Sequence, residues 1–376
     1  MANKKNDGYL SARESRRISR ENRRITNAYE KQRKRRNVPE SEYITTMRDL
    51  NNAVEFDNLH TYFFTDAGTV KAVDGVSFDV PIGKTVGVVG ESGCGKSVTS
   101  LSLMQLLQRP QGQVVDGAIR LNLGNKAYDV TKTPNEILQH LRGNTVSMIF
   151  QEPMTALNPV FRIGEQINEV IALHDGEGKS DEEIKKHSIE LLEMVGIANS
   201  EGVYMMYPHE LSGGMRQRVV IAMALACNPK VIIADEPTTA LDVTVEAQIL
   251  RLMKELNKSG TSILLISHNL GVIAQVCDYV YVMYAGQFVE EADVFALFDQ
   301  PLHPYTEGLL GAVTSLRREE AVLETIHGVV PDFSELPDGC GFAARCEKCM
   351  ERCSALMPRM VETEPGHRVR CHLYSA

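Results

Sequence analysis

Three short stretches of this 376-residue chain carry residue types that handle phosphate. Gly90-Glu91-Ser92-Gly93-Cys94-Gly95-Lys96-Ser97 satisfies the spacing G-x-x-x-x-G-K-[ST], with Val98 opening the apolar run that follows. Its glycines let the backbone wrap closely, so successive N–H groups point at phosphate oxygens, and a helix N-terminus adds positive potential. Lys96 would reach the β- and γ-phosphates of a nucleotide, and the Ser97 hydroxyl would ligate Mg²⁺. Cys94 occupies a free position of the motif, and its thiol is given no chemistry. The second stretch, Val231-Ile232-Ile233-Ala234, ends in Asp235-Glu236. Asp235 suits the Mg²⁺ shell, and Glu236 suits a general base that orients or deprotonates a water. Adjacent strand residues face opposite sides, so the two carboxylates are not expected to share a role. The third stretch, Ser212-Gly213-Gly214, opens a helical run and is a second anion cradle. Two cradles could serve one nucleotide from opposite sides only if the second came from another subunit or a distant segment of the fold.

The elements that must hold these groups are legible too. Thr85-Val86-Gly87-Val88-Val89, the run before Asp235, and Ser262-Ile263-Leu264-Leu265-Ile266 are continuous β-branched segments, as expected of parallel strands covered on both faces. Val245, Ile249, Leu252 and Leu256 follow helical spacing, and Gly260 lies just past that helix. This alternation predicts an α/β fold. Three regions are expected: a basic, flexible or helical N-terminal extension over 1–50, a nucleotide-binding domain over 51–315, and a Cys-rich metal- or cluster-binding domain over 316–376.

With 43% hydrophobic residues the chain can bury a full core, and no apolar run approaches the roughly 20 residues of a membrane-spanning helix. The first residues lack the apolar stretch of a secretory leader, which predicts a cytoplasmic location. Residues 1–50 carry 14 Lys and Arg against 7 Asp and Glu, a net of +7, which leaves −16 on the rest. The acidic body argues against a large nucleic-acid-binding face, and no specific nucleic acid is expected. Ile18, Ile25 and Tyr29 give the basic head only a thin apolar stripe, which favours a solvated, partly helical tail over a helix lying on an anionic membrane.

The set resembles the ATP-binding subunit of an ABC transporter: Walker A at 90–97, a Q-loop at Gln151, the LSGG signature at 211–214, Walker B ending at Asp235-Glu236, a D-loop at Ala240-Leu241-Asp242 and a switch histidine at His268. The resemblance implies a RecA-like core with a helical subdomain at about 152–228 and an antiparallel β subdomain, ATP and Mg²⁺ as ligands, and two such domains stacked head to tail. Each ATP would then meet Gly90, Ser92, Gly93, Cys94, Gly95, Lys96, Ser97 and Val98 of one subunit, and Ser212, Gly213, Gly214, Gln217 and Asp242 of the other. Carried over, Glu236, His268 and Gln151 are the catalytic residues, and Ser97, Gln151 and Asp235 the Mg²⁺ ligands. Phe64 is the candidate for stacking on adenine, with Tyr62 and Phe63 as alternatives.

The segment 151–159, Glu236 through Thr244, and His303-Pro304-Tyr305-Thr306 resemble the oligopeptide/dipeptide (and nickel) importer subfamily. This implies two separate membrane permease subunits, a related second ATPase in a heterodimer, an extracytoplasmic substrate-binding protein, and a peripheral position on the cytoplasmic side of the membrane. A nickel or other small-solute importer, or a soluble ABC ATPase outside transport, are the alternatives.

Cys340, Cys346, Cys349, Cys353 and Cys371 lie within 32 residues. In a reducing compartment such clustering points to metal ligands before disulfides. So small a unit rarely holds a core without a staple. Gly339-Cys340 through Cys346 and Gly366-His367 through His372 resemble the C-terminal extension of the same importer ATPases, which implies a [4Fe–4S] cluster on Cys340, Cys346, Cys353 and Cys371, with Zn²⁺ as the alternative. Cys349 departs from that four-cysteine pattern.

Overall fold

The computed structural model describes residues 11–151, 156–175, 178–239, 241–314, 326–333 and 336–375. Among the described residues thirteen strands form two sheets: β1 Ile44–Thr45, β2 Asn52–Phe64, β3 Thr69–Pro81, β4 Thr85–Val89, β5 Gly112–Asn122, β6 Ala127–Asp129, β7 Val146–Ile149, β8 Val231–Asp235, β9 Ser262–Ser267, β10 Tyr279–Tyr284, β11 Gln287–Asp293, β12 Val361–Glu364 and β13 His367–Val369. The larger sheet runs β12-β13-β11-β10-β4-β9-β8-β7. Its pairs from β10 through β7 are parallel, and every residue of β4, β8 and β9 is buried. That is why these three strands are continuous apolar text. Val89 pairs with Ser267 and Asp235 with Ile266, so β4, β8 and β9 end at one edge. Distant stretches of sequence therefore deliver their polar ends to one place.

The second sheet, β1-β6-β5-β2-β3, is antiparallel and packs on the first through aromatic side chains. Phe56 and Phe78 stack with centroids 4.1 Å apart, and Phe78 also meets Tyr281 and Phe288 of the larger sheet. Burial of each such ring is worth roughly 1.5–3 kcal/mol, enough to fix one sheet on the other.

Between β7 and β8 lies a helical lobe whose main helices are Ile163–His174, Asp181–Met194 and Gly213–Leu225. Ile163, Ile167 and Ile171, spaced by four, are fully buried. Ser180 and Glu183 form a capping box that starts the second helix. Helix Gly213–Leu225 buries Val219, Val220, Ile221 and Ala222 in succession because it packs both on β7 and on the lobe.

The N-terminal extension and the Cys-rich segment both pack onto the rest of the fold. Ala12–Arg33 is one helix, begun by a Ser11–Glu14 capping box, and it is docked rather than solvated. Asn22 donates to Thr65 O (2.7 Å), Ser19 to Asp66 (2.7 Å), and Gln113 donates to Glu30 (3.1 Å). Its buried face is polar (Asn22 and Thr26), so a search for an apolar stripe could not find it. The Cys-rich segment is not a separate layer, because β12 and β13 extend the large sheet beside β11. The junction is held by Glu290, fully buried, which accepts from the N–H groups of Leu302 and His303 and bonds His367 Nε2, all at 2.8 Å. A buried carboxylate survives only with such partners.

Candidate ATP site

The phosphate-binding loop joins β4 to helix Lys96–Met104. Gly95 has φ +112°, and a Cβ there would lie 2.3 Å from Ala72 O; a Cβ on Gly90 would lie 2.2 Å from Met283 O. The glycines are therefore required by the packing of the loop on neighbouring strands as well as by phosphate. Lys96 is buried, and its Nζ donates to Gly90 O (2.7 Å) and Glu91 O (2.9 Å), which folds the ammonium back over the loop.

Ser97 Oγ donates to Asp235 Oδ1 at 3.1 Å. Asp235 is buried, which pushes its carboxyl upward against the opposing bond from Ser97. These neighbouring oxygens fit Mg²⁺, a hard cation that takes one or two protein ligands and fills its shell with phosphate and water. Asp235 and Glu236 have different surroundings. Asp235 ends β8, whereas Glu236 has left the strand with φ +47° and donates its N–H to Ile266 O. A left-handed turn, not strand alternation, separates the two carboxylates.

Glu236 gathers partners from three segments. Gln151 Nε2 donates to Oε2 (2.9 Å), Thr239 Oγ1 to the same oxygen (3.1 Å), and His268 Nδ1 lies 2.9 Å from Oε1. Burial raises the Glu236 pKa, but the bonds from His268, Thr239 and Gln151 outweigh it and hold the carboxyl below its usual range. An ionised, partly buried carboxylate is suited to accept a proton from water. Thr239 belongs to none of the motifs' chemical positions; its place three residues after Glu236, in the same turn, is the signal for it in the sequence.

Ser212 caps helix Gly213–Leu225, its Oγ accepting from Met215 N at 3.3 Å, and both Ser212 and Gly213 are exposed. A Cβ on Gly213 would meet nothing within 4 Å, so this cradle opens onto the surface. Gln217 does not: it is 1% exposed, and its Nε2 donates to Pro237 O at 2.8 Å. Its amide ties the signature helix to the turn after Glu236, so in this chain the side chain expected to meet nucleotide is engaged internally. Asp242 caps helix Val243–Lys258 through Val245 N, while Ala240 lies outside the described residues. Phe64 ends β2 half-buried; Tyr62 OH donates to Asp74 (2.6 Å), which engages that alternative ring in the fold's own polar network.

Over 326 residues the chain is 52% identical to the oligopeptide transport ATP-binding protein AppD of Bacillus subtilis, a match covering 86% of this chain and 98% of that protein. The chain belongs to the ABC transporter family. The family's ABC transporter model matches residues 73–239, and a second, described as oligopeptide/dipeptide transporter, C-terminal region, matches 289–353. The dipeptide transport ATP-binding protein DppD of Bacillus subtilis is 47% identical over 325 residues, covering 86% of this chain and 95% of that one. Among solved structures, the ATP-binding cassette MJ0796, a dimer in a post-hydrolysis state bound to ADP and Pi, superposes with a TM-score of 0.58 at 26% identity, covering 64% of this chain and 98% of that one. The fold is thus the ABC-type P-loop fold, and the chain is an ATP-hydrolysing enzyme of ABC transport. Among the described residues of this ABC ATPase no helix is long and apolar enough to cross a membrane.

Cys340, Cys346, Cys353 and Cys371 line one cavity of about 10 Å³ with His303 and His372, while Cys349 is exposed and is not among its lining residues. Burial pushes the Cys340 thiol up to about 11 and raises Cys346 and Cys371. Four sulfurs around one cavity fit a soft metal centre by donor type. Among the described residues, however, no group of three or more His, Cys, Asp or Glu side chains is drawn together closely enough to hold a metal.

Proposed function

We propose that this ATPase energises the uptake of oligopeptides or dipeptides through two separate membrane permease subunits. The observation that carries this reading is the similarity, over 86% of this chain, to peptide-transport ATP-binding proteins, which extends past the nucleotide site into the C-terminal region at 289–353. The chain would sit peripherally on the cytoplasmic face, served by an extracytoplasmic substrate-binding protein.

The surface-facing Ser212-Gly213 cradle supports a shared site, in which one ATP lies between the Lys96 loop of one subunit and the signature turn of a second, related ATPase. Ser97, Asp235 and Gln151 would hold Mg²⁺, which neutralises charge on the β- and γ-phosphate oxygens. Glu236 then accepts the proton of the attacking water, His268 and Gln151 keep its carboxylate ionised and oriented, and Phe64 stacks on adenine. ATP favours the closed pair over the open one, and only that difference can move an attached permease. The four cysteines would hold a [4Fe–4S] cluster, or Zn²⁺ in its place, supplying a covalent staple to a segment with little core of its own.

The test is transport by the intact complex in proteoliposomes. Labelled dipeptide and oligopeptide should accumulate with ATP inside reach of this chain, and accumulation should stop with Glu236→Gln. Uptake of Ni²⁺ with no competition by peptides would overturn the cargo.

A further inference from the structure

One residue of the Cys-rich segment reaches the phosphate loop. Arg345, immediately before Cys346, grips the Glu91 carboxylate with both guanidinium nitrogens, Nη1 to Oε2 at 2.6 Å and Nη2 to Oε1 at 3.0 Å. The Arg345 side chain is 5% exposed, and it is held by His327 O at 3.0 Å and by the rings of Tyr284 and Phe342, each 5.8 Å from the guanidinium carbon. The backbone is held as well, since Glu91 N donates to Tyr305 OH at 2.8 Å, and the Tyr305 ring packs on Phe342 with centroids 5.4 Å apart. Both the side chain and the N–H of Glu91 are thus set by residues outside the nucleotide motif.

We infer that Arg345 is a positioning residue for ATP binding: it neutralises Glu91 and turns its carboxylate away from the polyphosphate, coupling the cysteine segment to the nucleotide site. Glu91 is the second residue of a loop built to receive several negative charges. Left unpaired, its carboxylate would repel them, whereas a bidentate guanidinium cancels its charge and fixes its direction. The coupling is reciprocal, so whatever binds or rearranges the cysteines alters ATP affinity, and nucleotide alters the cysteine segment. This inference rests on the ATP site and is independent of cargo.

The experiment is equilibrium binding of MgATP to the full chain. Arg345→Gln should raise Kd by about tenfold, within the roughly 5–150-fold range of such couplings. Adding Glu91→Gln to that variant should restore Kd to near wild type, because no carboxylate remains to be neutralised. A merely structural role for Arg345 would not be rescued in this way. Hydrogen exchange of residues 340–346 provides a second readout that leaves the cysteine segment unaltered: MgADP should change it in the wild type and not in Glu91→Gln. A Kd for Arg345→Gln within twofold of wild type, a double variant as weak as the single one, or exchange indifferent to MgADP would each overturn the inference. Failure of the wild type to bind MgATP would instead refute the ATP site itself.

Discussion

Gln151 Nε2 lies 2.9 Å from Glu236 Oε2, although 85 positions separate the two residues in the chain. Gln151 stands two residues beyond β7 and Glu236 one beyond β8, and the parallel pairing of those strands is what brings them together. The meeting of Gln151 with the Glu236 carboxylate is therefore set by sheet register.

Glu236→Gln keeps the size and the neighbours of the side chain while removing the base. MgATP should still bind, and turnover should fall by roughly 10²–10⁴-fold, the usual worth of a positioned acid or base. Single-turnover hydrolysis and light scattering would report a trapped, closed dimer. Near-normal turnover would remove Glu236 from the base role.

His268→Ala removes the strongest influence that lowers the Glu236 pKa, leaving burial opposed only by the bonds from Thr239 and Gln151. The direction follows from the charge: with the wild-type carboxyl held below its ordinary range, the base stays ionised well into acid, whereas in the variant it protonates at higher pH. The acid limb of the kcat–pH profile should shift upward. An unmoved limb would separate His268 from the ionisation of Glu236.

Ser212 and Gly213 are exposed on their own chain, where Ser212 caps a helix and a Cβ on Gly213 would meet nothing within 4 Å. Replacing Ser212 by Ala and Gly213 by Asp in both ATPase chains should abolish hydrolysis by the assembly while the isolated chain still binds MgATP. Isothermal titration on the chain and phosphate release by the complex make the comparison. Full hydrolysis would mean that each subunit completes its own site.

His367→Ala strips one of three hydrogen bonds from the fully buried Glu290 carboxylate. A loss of about 1–3 kcal/mol is expected in denaturant unfolding, the cost of a buried acceptor left short of partners. The loss should be accompanied by faster proteolysis after residue 356, because β12 and β13 are fastened to the sheet there.

Anaerobically purified chain should carry about four iron and four sulfide with a matching absorption band, as expected of a four-thiolate cluster. Cys340→Ser should lose it and Cys349→Ser should not, since Cys349 does not line the cavity. One zinc without iron would replace the cluster with a tetrahedral site.

The chemistry of this chain could be read locally. Residues 90–97, 211–214, 235–236 and His268 each lie within a few residues of the strand end or helix start that presents them, and periodicity marks such elements in one dimension. What periodicity cannot carry is which elements become neighbours. The docking of Ala12–Arg33 through Asn22, the internal use of the Gln217 amide, the addition of β12 and β13 to the large sheet, and the grip of Arg345 on Glu91 all join segments far apart in the chain. Each rests on buried polar groups, which need a specific partner at hydrogen-bond distance. Their pairing is settled by packing in three dimensions and leaves no repeating pattern along the sequence.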